Sequence, residues 1–145
     1  MKKIDYRIAC IDDAEKIFEL DNSYMYEKYS LKQISDFFNI DYYRVIVACE
    51  SSKIVGYICF SVIYDEGNLI KIVVDKNYRK LSIGKNLVDY MKSICKELNA
   101  STIYLEVRED NDDAISFYEK LGFQLKNIRP NYYGDINAKI YECKI

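Results

Sequence analysis

Apolar positions along this chain recur sometimes every second residue and sometimes every third or fourth, and each change of period marks a new element. Tyr6-Arg7-Ile8-Ala9-Cys10 predicts a short strand, after which Asp12 is placed to cap a helix with Ala14, Ile17, Phe18 and Leu20 as its apolar positions. Ser30 reads as the cap of a second, short helix carrying Leu31, Ile34, Phe37 and Phe38. Residues 22–30, with Tyr24, Tyr26 and Tyr29, then form an aromatic connection that either lines a pocket or covers the edge of the core. The β-branched and aromatic runs from Arg44 to Glu50 and from Lys53 to Ile63 flank Ser51-Ser52 and predict a hairpin. A third such run ends at Asp75. Ile83, Leu87, Met91, Ile94 and Leu98 make a helical stripe, and Thr102 to Val107 alternates, with Ile103, Leu105 and Val107 on one face and Tyr104 and Glu106 on the other. Asn111 is placed to cap a helix that packs Ala114, Phe117 or Tyr118, and Leu121, and Gly122 ends it. Strands near Phe123 to Ile128 and Ile136 to Cys143 close the chain across Pro130 to Gly134. The order β-αα-βββ-α-β-α-ββ predicts an α/β fold, one mixed sheet with helices on both faces, in a single domain over residues 1–145.

The stretch between the third run and its following helix carries the most chemistry. Lys76-Asn77-Tyr78-Arg79-Lys80-Leu81-Ser82-Ile83-Gly84-Lys85 joins a strand to a helix whose N-terminus lies near Ser82 to Gly84. A helix start leaves about four backbone N–H groups unpaired and carries roughly half a positive charge, which suits an anion. Arg79, Lys80 and Lys85 add charge, Gly84 permits close approach of the backbone, and Ser82 is able to cap. A diphosphate is the natural ligand on this reading; the plainer alternative is an ordinary connection with solvated cations. The turn matches neither G-x-x-x-x-G-K-[ST] nor G-x-G-x-x-G.

Composition narrows the classes. The chain has 145 residues, 50% hydrophobic and 30% charged, with net charge −2, which argues against general nucleic-acid or anionic-membrane binding. No apolar run approaches the roughly 20 residues of a membrane span, and Met1-Lys2-Lys3-Ile4-Asp5 lacks the apolar core of a signal peptide, so a cytoplasmic protein is expected. Five widely spaced cysteines, Cys10, Cys49, Cys59, Cys95 and Cys143, suit reduced core thiols. With no histidine, Ser-His-Asp and Cys-His catalysis are excluded and the commonest zinc ligand is missing; no metal is expected, and acid–base work falls to Glu, Asp, Tyr, Lys or Cys.

Arg79-x-x-Ser82-x-Gly84 resembles the Gln/Arg-x-x-Gly-x-Gly/Ala turn of GNAT-family N-acetyltransferases, with Ser82 where the family usually has glycine. The element order resembles that fold throughout. Leu105-Glu106-Val107-Arg108, Asn111, Phe117-Tyr118-Glu119-Lys120-Leu121-Gly122-Phe123 and Ile128-Arg129-Pro130-Asn131-Tyr132-Tyr133 resemble its ribosomal-protein-alanine N-acetyltransferase (RimI-type) branch, although the aromatic connection lacks the Pro-Trp pair usual there. The resemblance implies acetyl-CoA as co-substrate. Backbone at Ile72, Val73 and Val74 would pair with its pantetheine, Arg79, Lys80, Leu81, Ser82, Ile83, Gly84 and Lys85 would hold its diphosphate, and Asn111 would contact it. It also gives Glu106 the role of base and Tyr118 that of acid. On the residues alone, Glu106 reads more readily as a surface carboxylate paired with Arg108, and Tyr118 as a core aromatic. A phenol at about 10 against a thiol at about 8.5 makes full proton transfer uphill by roughly 2 kcal/mol, so Tyr118 would chiefly donate a hydrogen bond to the developing thiolate. The acceptor implied is a protein N-terminal amine, and the partners are acetyl-CoA and that amine, in a monomer or homodimer. A small amine acceptor, such as a polyamine, amino acid or drug, and a non-catalytic acyl-CoA-binding domain are the alternatives.

Overall fold

The computed structural model describes residues 3–23 and 27–145. The chain runs β1 (Asp5–Ile8), α1 (Ala14–Asn22), α2 (Leu31–Asn39), β2 (Tyr43–Glu50), β3 (Lys53–Ile63), β4 (Glu66–Val74), α3 (Ile83–Glu97), β5 (Thr102–Arg108), α4 (Asp112–Lys120), β6 (Gln124–Tyr133) and β7 (Ile136–Lys144). Among the described residues the strands form one sheet in the order β1-β2-β3-β4-β5-β7-β6, antiparallel except for the parallel pair β4 and β5. The expected order of elements is the observed one.

Two cores explain the patterning. Val45, Val47, Tyr57 and Cys59 pack with Ala14, Ile17, Leu20 and Ile34 of α1 and α2. Ile46, Ala48, Ile58 and Phe60 face the other way, against Ile83, Leu87, Val88 and Met91 of α3 and Tyr118 of α4. Central strands β2 and β3 are covered on both sides and so read as unbroken apolar runs, whereas β5 alternates because only Ile103, Leu105 and Val107 are buried. Each large side chain that α3 buries contributes about 1.5–3 kcal/mol. Leu98, expected in its stripe, lies just past the helix end and is exposed, while Cys95 is buried. Of the thiols, Cys49, Cys59, Cys95 and Cys143 are buried as expected and Cys10 is exposed.

Caps made within three residues follow the sequence. Ser30 Oγ accepts from Gln33 N at 3.1 Å while Ser30 N donates to Gln33 Oε1 at 2.8 Å, and Asn111 Oδ1 accepts from Ala114 N at 3.2 Å. Asp12 is not the cap expected of it. A 3-10 turn over Ile11–Asp13 precedes α1, and the Asp13 carboxylate accepts from Cys10 N at 2.9 Å and pairs with Arg7 at 2.7 Å. That guanidinium holds Asp13 down at about 2. Tyr24 and Tyr26 lie outside the described residues, so the expected aromatic connection is described only at its ends. There Asn22 Nδ2 donates to Tyr29 O at 2.9 Å. Asp21, fully buried, accepts from Tyr57 Oη at 2.6 Å and Tyr29 N at 2.8 Å and pairs with Lys71 Nζ at 2.7 Å. Removing one partner of such a buried pair costs about 3–5 kcal/mol, because the other charge is left uncompensated.

The feature that makes a site is a parting of strands. β4 and β5 pair only over Glu66↔Thr102, Gly67↔Ile103 and Asn68↔Tyr104. At the closed end a Cβ on Gly67 would meet Cys95 Sγ at 3.0 Å and Ile103 Cγ1 at 3.1 Å, so glycine is what lets β4 sit that close to α3 and β5. Just beyond, the β3–β4 register slips from Phe60↔Leu69 to Cys59↔Lys71, leaving Ile70 as an extra residue. A bulge bends and twists its strand, and this one falls where β4 turns away from β5.

Candidate active site

Two clefts open between the parted strands. The larger, about 1210 Å³, exceeds the roughly 300–1,000 Å³ of ordinary small-molecule pockets and runs from Ile72, Val73 and Val74 to the helix start and across to α4. The smaller, about 670 Å³, lies between β4, β5 and β6, with Tyr104, Lys126, Arg129 and Tyr132 on its walls. Glu27, Ile70, Glu106 and Tyr133 line both, so the clefts meet at Glu106.

Of the residues expected in a coenzyme site, Ile72, Val73, Val74, Arg79, Lys80, Ser82, Ile83, Gly84, Lys85 and Asn111 line the larger cleft, while Leu81 is exposed outside its lining. The turn is built differently from the expectation in two respects. Ser82 occupies the N-cap position of α3 with φ 60° and ψ 21°, left-handed backbone, and its side chain caps nothing. Lys80 is left-handed as well, at φ 69°. Strain of this kind collects at sites where backbone direction matters, because a residue other than glycine there costs about 1–3 kcal/mol. Gly84 is not left-handed; its missing side chain makes room for α4, since a Cβ would stand 3.0 Å from Phe117 Cζ and 3.2 Å from Phe117 Cε1. The close approach expected of a ligand at Gly84 is therefore also an approach of Phe117, which lines the same cleft. Lys85 pairs with Asp89 at 2.9 Å.

β5 alternation sends Glu106 into the opening. Its partner is Arg129, at 2.8 Å from Oε1, and not Arg108, the partner in the plainer reading of Glu106, which pairs with Asp110 at 3.0 Å. Tyr118 lies in the larger cleft only, with its ring edge-on to Phe117 and Phe123 at centroid distances of 5.3 and 5.9 Å. It belongs to the core as well as to the site, being 8% exposed, and burial pushes its phenol up to about 12. The choice left open between Phe117 and Tyr118 resolves with Tyr118 inward and Phe117 half-buried against the turn. Tyr132 and Tyr133 meet edge to face at 5.0 Å, each beneath a guanidinium: Arg129 at 5.6 Å and Arg108 at 5.3 Å. Neither the Glu106–Arg129 pair nor the Asp21–Lys71 pair is legible in the sequence, because the partners lie more than twenty positions apart.

A mixed sheet opened between two parallel strands, with helices on both faces and a helix start at the mouth, is the acyl-CoA N-acyltransferase architecture. The sequence agrees: the family model described as "Acetyltransferase (GNAT) family" matches residues 13–123, and the chain belongs to that family. It is 34% identical over 84 residues to the [ribosomal protein bS18]-alanine N-acetyltransferase of Escherichia coli, a match that spans 58% of this chain and only 57% of that relative. It is 31% identical over 146 residues to an N-alpha-acetyltransferase of Sulfurisphaera tokodaii, covering 90% of this chain and 87% of the relative. The crystal structure of the ribosomal-protein-S18-alanine N-acetyltransferase from Escherichia coli superposes with a TM-score of 0.90 at 24% identity, over 99% of this chain and 94% of that one. No helix among the described residues is long and apolar enough to cross a membrane.

Proposed function

We propose that this chain is a cytoplasmic acetyl-CoA-dependent N-acetyltransferase whose acceptor is the N-terminal α-amine of a protein, such as a ribosomal protein. The observation that carries the reading is the position of Glu106, where a long cleft lined by β4 backbone and a helix start meets a shorter one lined by tyrosines. The residues fit the donor: among the described residues the β4–β5 ladder runs only from Glu66 to Asn68, so the two strands part beside Ile72 and Val73, and the α3 start lies near Arg79 and Lys80. Acetyl-CoA supplies the activated thioester. Backbone at Ile72 to Val74 and at Lys80 to Lys85 places it, and Glu106, directly or through water, takes the proton of the attacking amine. As nitrogen bonds to the carbonyl carbon and the carbon–sulfur bond breaks, the Tyr118 hydroxyl donates a hydrogen bond to the leaving sulfur. With its phenol at about 12 against a thiol near 8.5, outright transfer of the Tyr118 proton is uphill by about 5 kcal/mol, so hydrogen bonding is its contribution.

The α-amine is favoured by acid–base arithmetic. At pH 7 an amine of pKa about 8 is roughly a tenth neutral, while a lysine at about 10.4 is well under a thousandth neutral. The relatives named for N-terminal acetylation support the same choice. One observation favours a second reading, a small polyamine: three carboxylates, Glu27, Glu66 and Glu106, line the smaller cleft. An acceptor panel separates the two. Peptides differing in their first residue, polyamines and free amino acids are incubated with acetyl-CoA, release of CoA is followed, and mass spectrometry locates the acetyl group. A peptide with a free N-terminal alanine is expected to be acetylated on its α-amine in preference to lysine. Turnover of a polyamine with no peptide modification overturns the acceptor, and acetyl-CoA bound without CoA release from any amine overturns the enzyme.

A further inference from the structure

We infer that Arg129 is a positioning residue for the reaction, fixing the Glu106 carboxylate at the junction of the clefts; this rests on the reading of Glu106 as the base. Arg129 Nη1 stands 2.8 Å from Glu106 Oε1, although the two residues belong to strands separated by β7. Register explains the reach. Glu106 opposes Ile140, and two residues on, Arg108 and Arg129 oppose Ala138 from either side. Residues opposite one another share a face, so Glu106, Arg108 and Arg129 all stand on the cleft side, with only a methyl group at Ala138 between the two arginines.

Arg129 is on that face because β6 slips. Leu125 opposes Tyr141 and Asn127 opposes Ile140, so Lys126 is an extra residue. A slip of one residue turns every later side chain to the other face; without it Ile128 would stand opposite Ala138 and Arg129 would point away. The irregular stretch that follows is fastened: Asn131 N donates to Asn137 Oδ1 at 2.9 Å, and Glu109 N, just past the end of β5, donates to Asn137 O at 2.9 Å. The guanidinium also lies over the Tyr132 ring. The arginine side chain is 51% exposed and the carboxylate 33%, and a pair that open to water contributes little to stability. Its effect is local. Arg129 holds Oε1, fixes the rotamer of an otherwise mobile glutamate and leaves Oε2 to receive the proton of the attacking amine.

The test compares Arg129→Gln, Arg129→Lys, Glu106→Gln and the double variant Arg129→Gln/Glu106→Gln by kcat, acceptor KM, acetyl-CoA Kd and melting temperature. Misplacing a catalytic group by about 1 Å costs on the order of a hundredfold, so Arg129→Gln is expected to lower kcat about ten- to a hundredfold, with acetyl-CoA Kd and melting temperature nearly unchanged. Arg129→Lys, which can still reach the carboxylate, recovers part of the loss. The double variant matches Glu106→Gln to within about twofold, because a positioning residue has nothing left to position. Equal kcat for Arg129→Gln and the wild type, or losses that multiply in the double variant, overturns the inference while leaving Glu106 as the base. A Glu106→Gln protein of undiminished kcat overturns both.

Discussion

On the proposed function, the helix-start turn and the cleft junction would recognise their ligands by opposite means. At the turn the proposed contacts belong mainly to the backbone: Ser82 caps nothing, Leu81 lies outside the cleft lining, and Lys85 is paired with Asp89. At the junction and on the walls beside it they are side chains: Glu106 and Tyr133 where the clefts meet, Arg129 in the smaller cleft and Tyr118 in the larger, brought from β5, β6 and α4. A backbone site is specified by conformation within a few residues and tolerates exchange of side chains that keep φ and ψ. A side-chain site depends on strand registers set far apart in sequence and tolerates almost none. Substitutions at the two places are thus expected to fail in different ways, in rate at the junction and in stability or coenzyme affinity at the turn.

The largest effects belong to the junction. Glu106→Gln and Tyr118→Phe are expected to lower kcat by about 100- to 10,000-fold and by a smaller factor, respectively, with acetyl-CoA affinity scarcely moved. Steady-state kinetics alongside calorimetric titration of acetyl-CoA checks the separation. The pH dependence differs between them. As pH rises the acceptor amine loses its own proton, so the Glu106→Gln deficit shrinks. Tyr118, held at about 12 by burial, stays protonated as pH rises to roughly 11, so the Tyr118→Phe deficit is level across that span. Losses of less than about threefold for both would return them to a structural role and erase the contrast.

The same contrast explains what the sequence made legible. Element order, the caps at Ser30 and Asn111, the alternation of β5 and the place of the turn all follow from residues within one or two helical turns of each other. Where a distant residue decides, local reading fails. Asp13 rather than Asp12 is the carboxylate that fastens the turn before α1, accepting from Cys10 N and held by Arg7 of β1. Glu106 pairs with Arg129 rather than nearby Arg108 because of a slip at Lys126 that leaves no local mark. β6 continues through Pro130 to Tyr133, where a connection was expected, because Pro130 falls in an irregular stretch that asks no N–H of it, and the turn moves to Gly134 at φ 69°.

At the turn, Gly84→Ala puts a methyl group about where Phe117 already sits, 3.0 Å from its Cζ. Over-packing of this kind costs about 1–3 kcal/mol, which for a chain of this size lowers the melting temperature by roughly 2–4 °C per kcal/mol. Because Phe117 and the turn line one cleft, acetyl-CoA affinity falls with it. Phe117→Leu in the same protein is expected to restore much of the stability, the shorter side chain giving way to the new methyl. A Gly84→Ala protein that melts like the wild type would show that the ring yields freely, and Gly84 would then matter only for the ligand.

The smallest effect is the most direct test of a site made from backbone. Ser82 adopts φ 60°, which glycine takes at no steric cost and which costs another residue about 1–2 kcal/mol. Its hydroxyl makes no capping bond, so Ser82→Gly removes strain without removing a contact at the helix start. Glycine loses more conformational freedom on folding, about 0.5–1 kcal/mol, and the net gain is therefore about 0–1.5 kcal/mol, centred on roughly 0.75 kcal/mol, which at the midpoint raises the melting temperature by about 2–3 °C. The backbone N–H groups stay where they are. Acetyl-CoA affinity should accordingly change by less than about twofold, a free-energy difference below roughly 0.5 kcal/mol. A rise in melting temperature with affinity unchanged is what a turn working through backbone direction predicts. A fall in affinity of about tenfold with the fold intact would mean that the serine hydroxyl itself touches the ligand, and the turn would then belong with the junction as a site built from side chains.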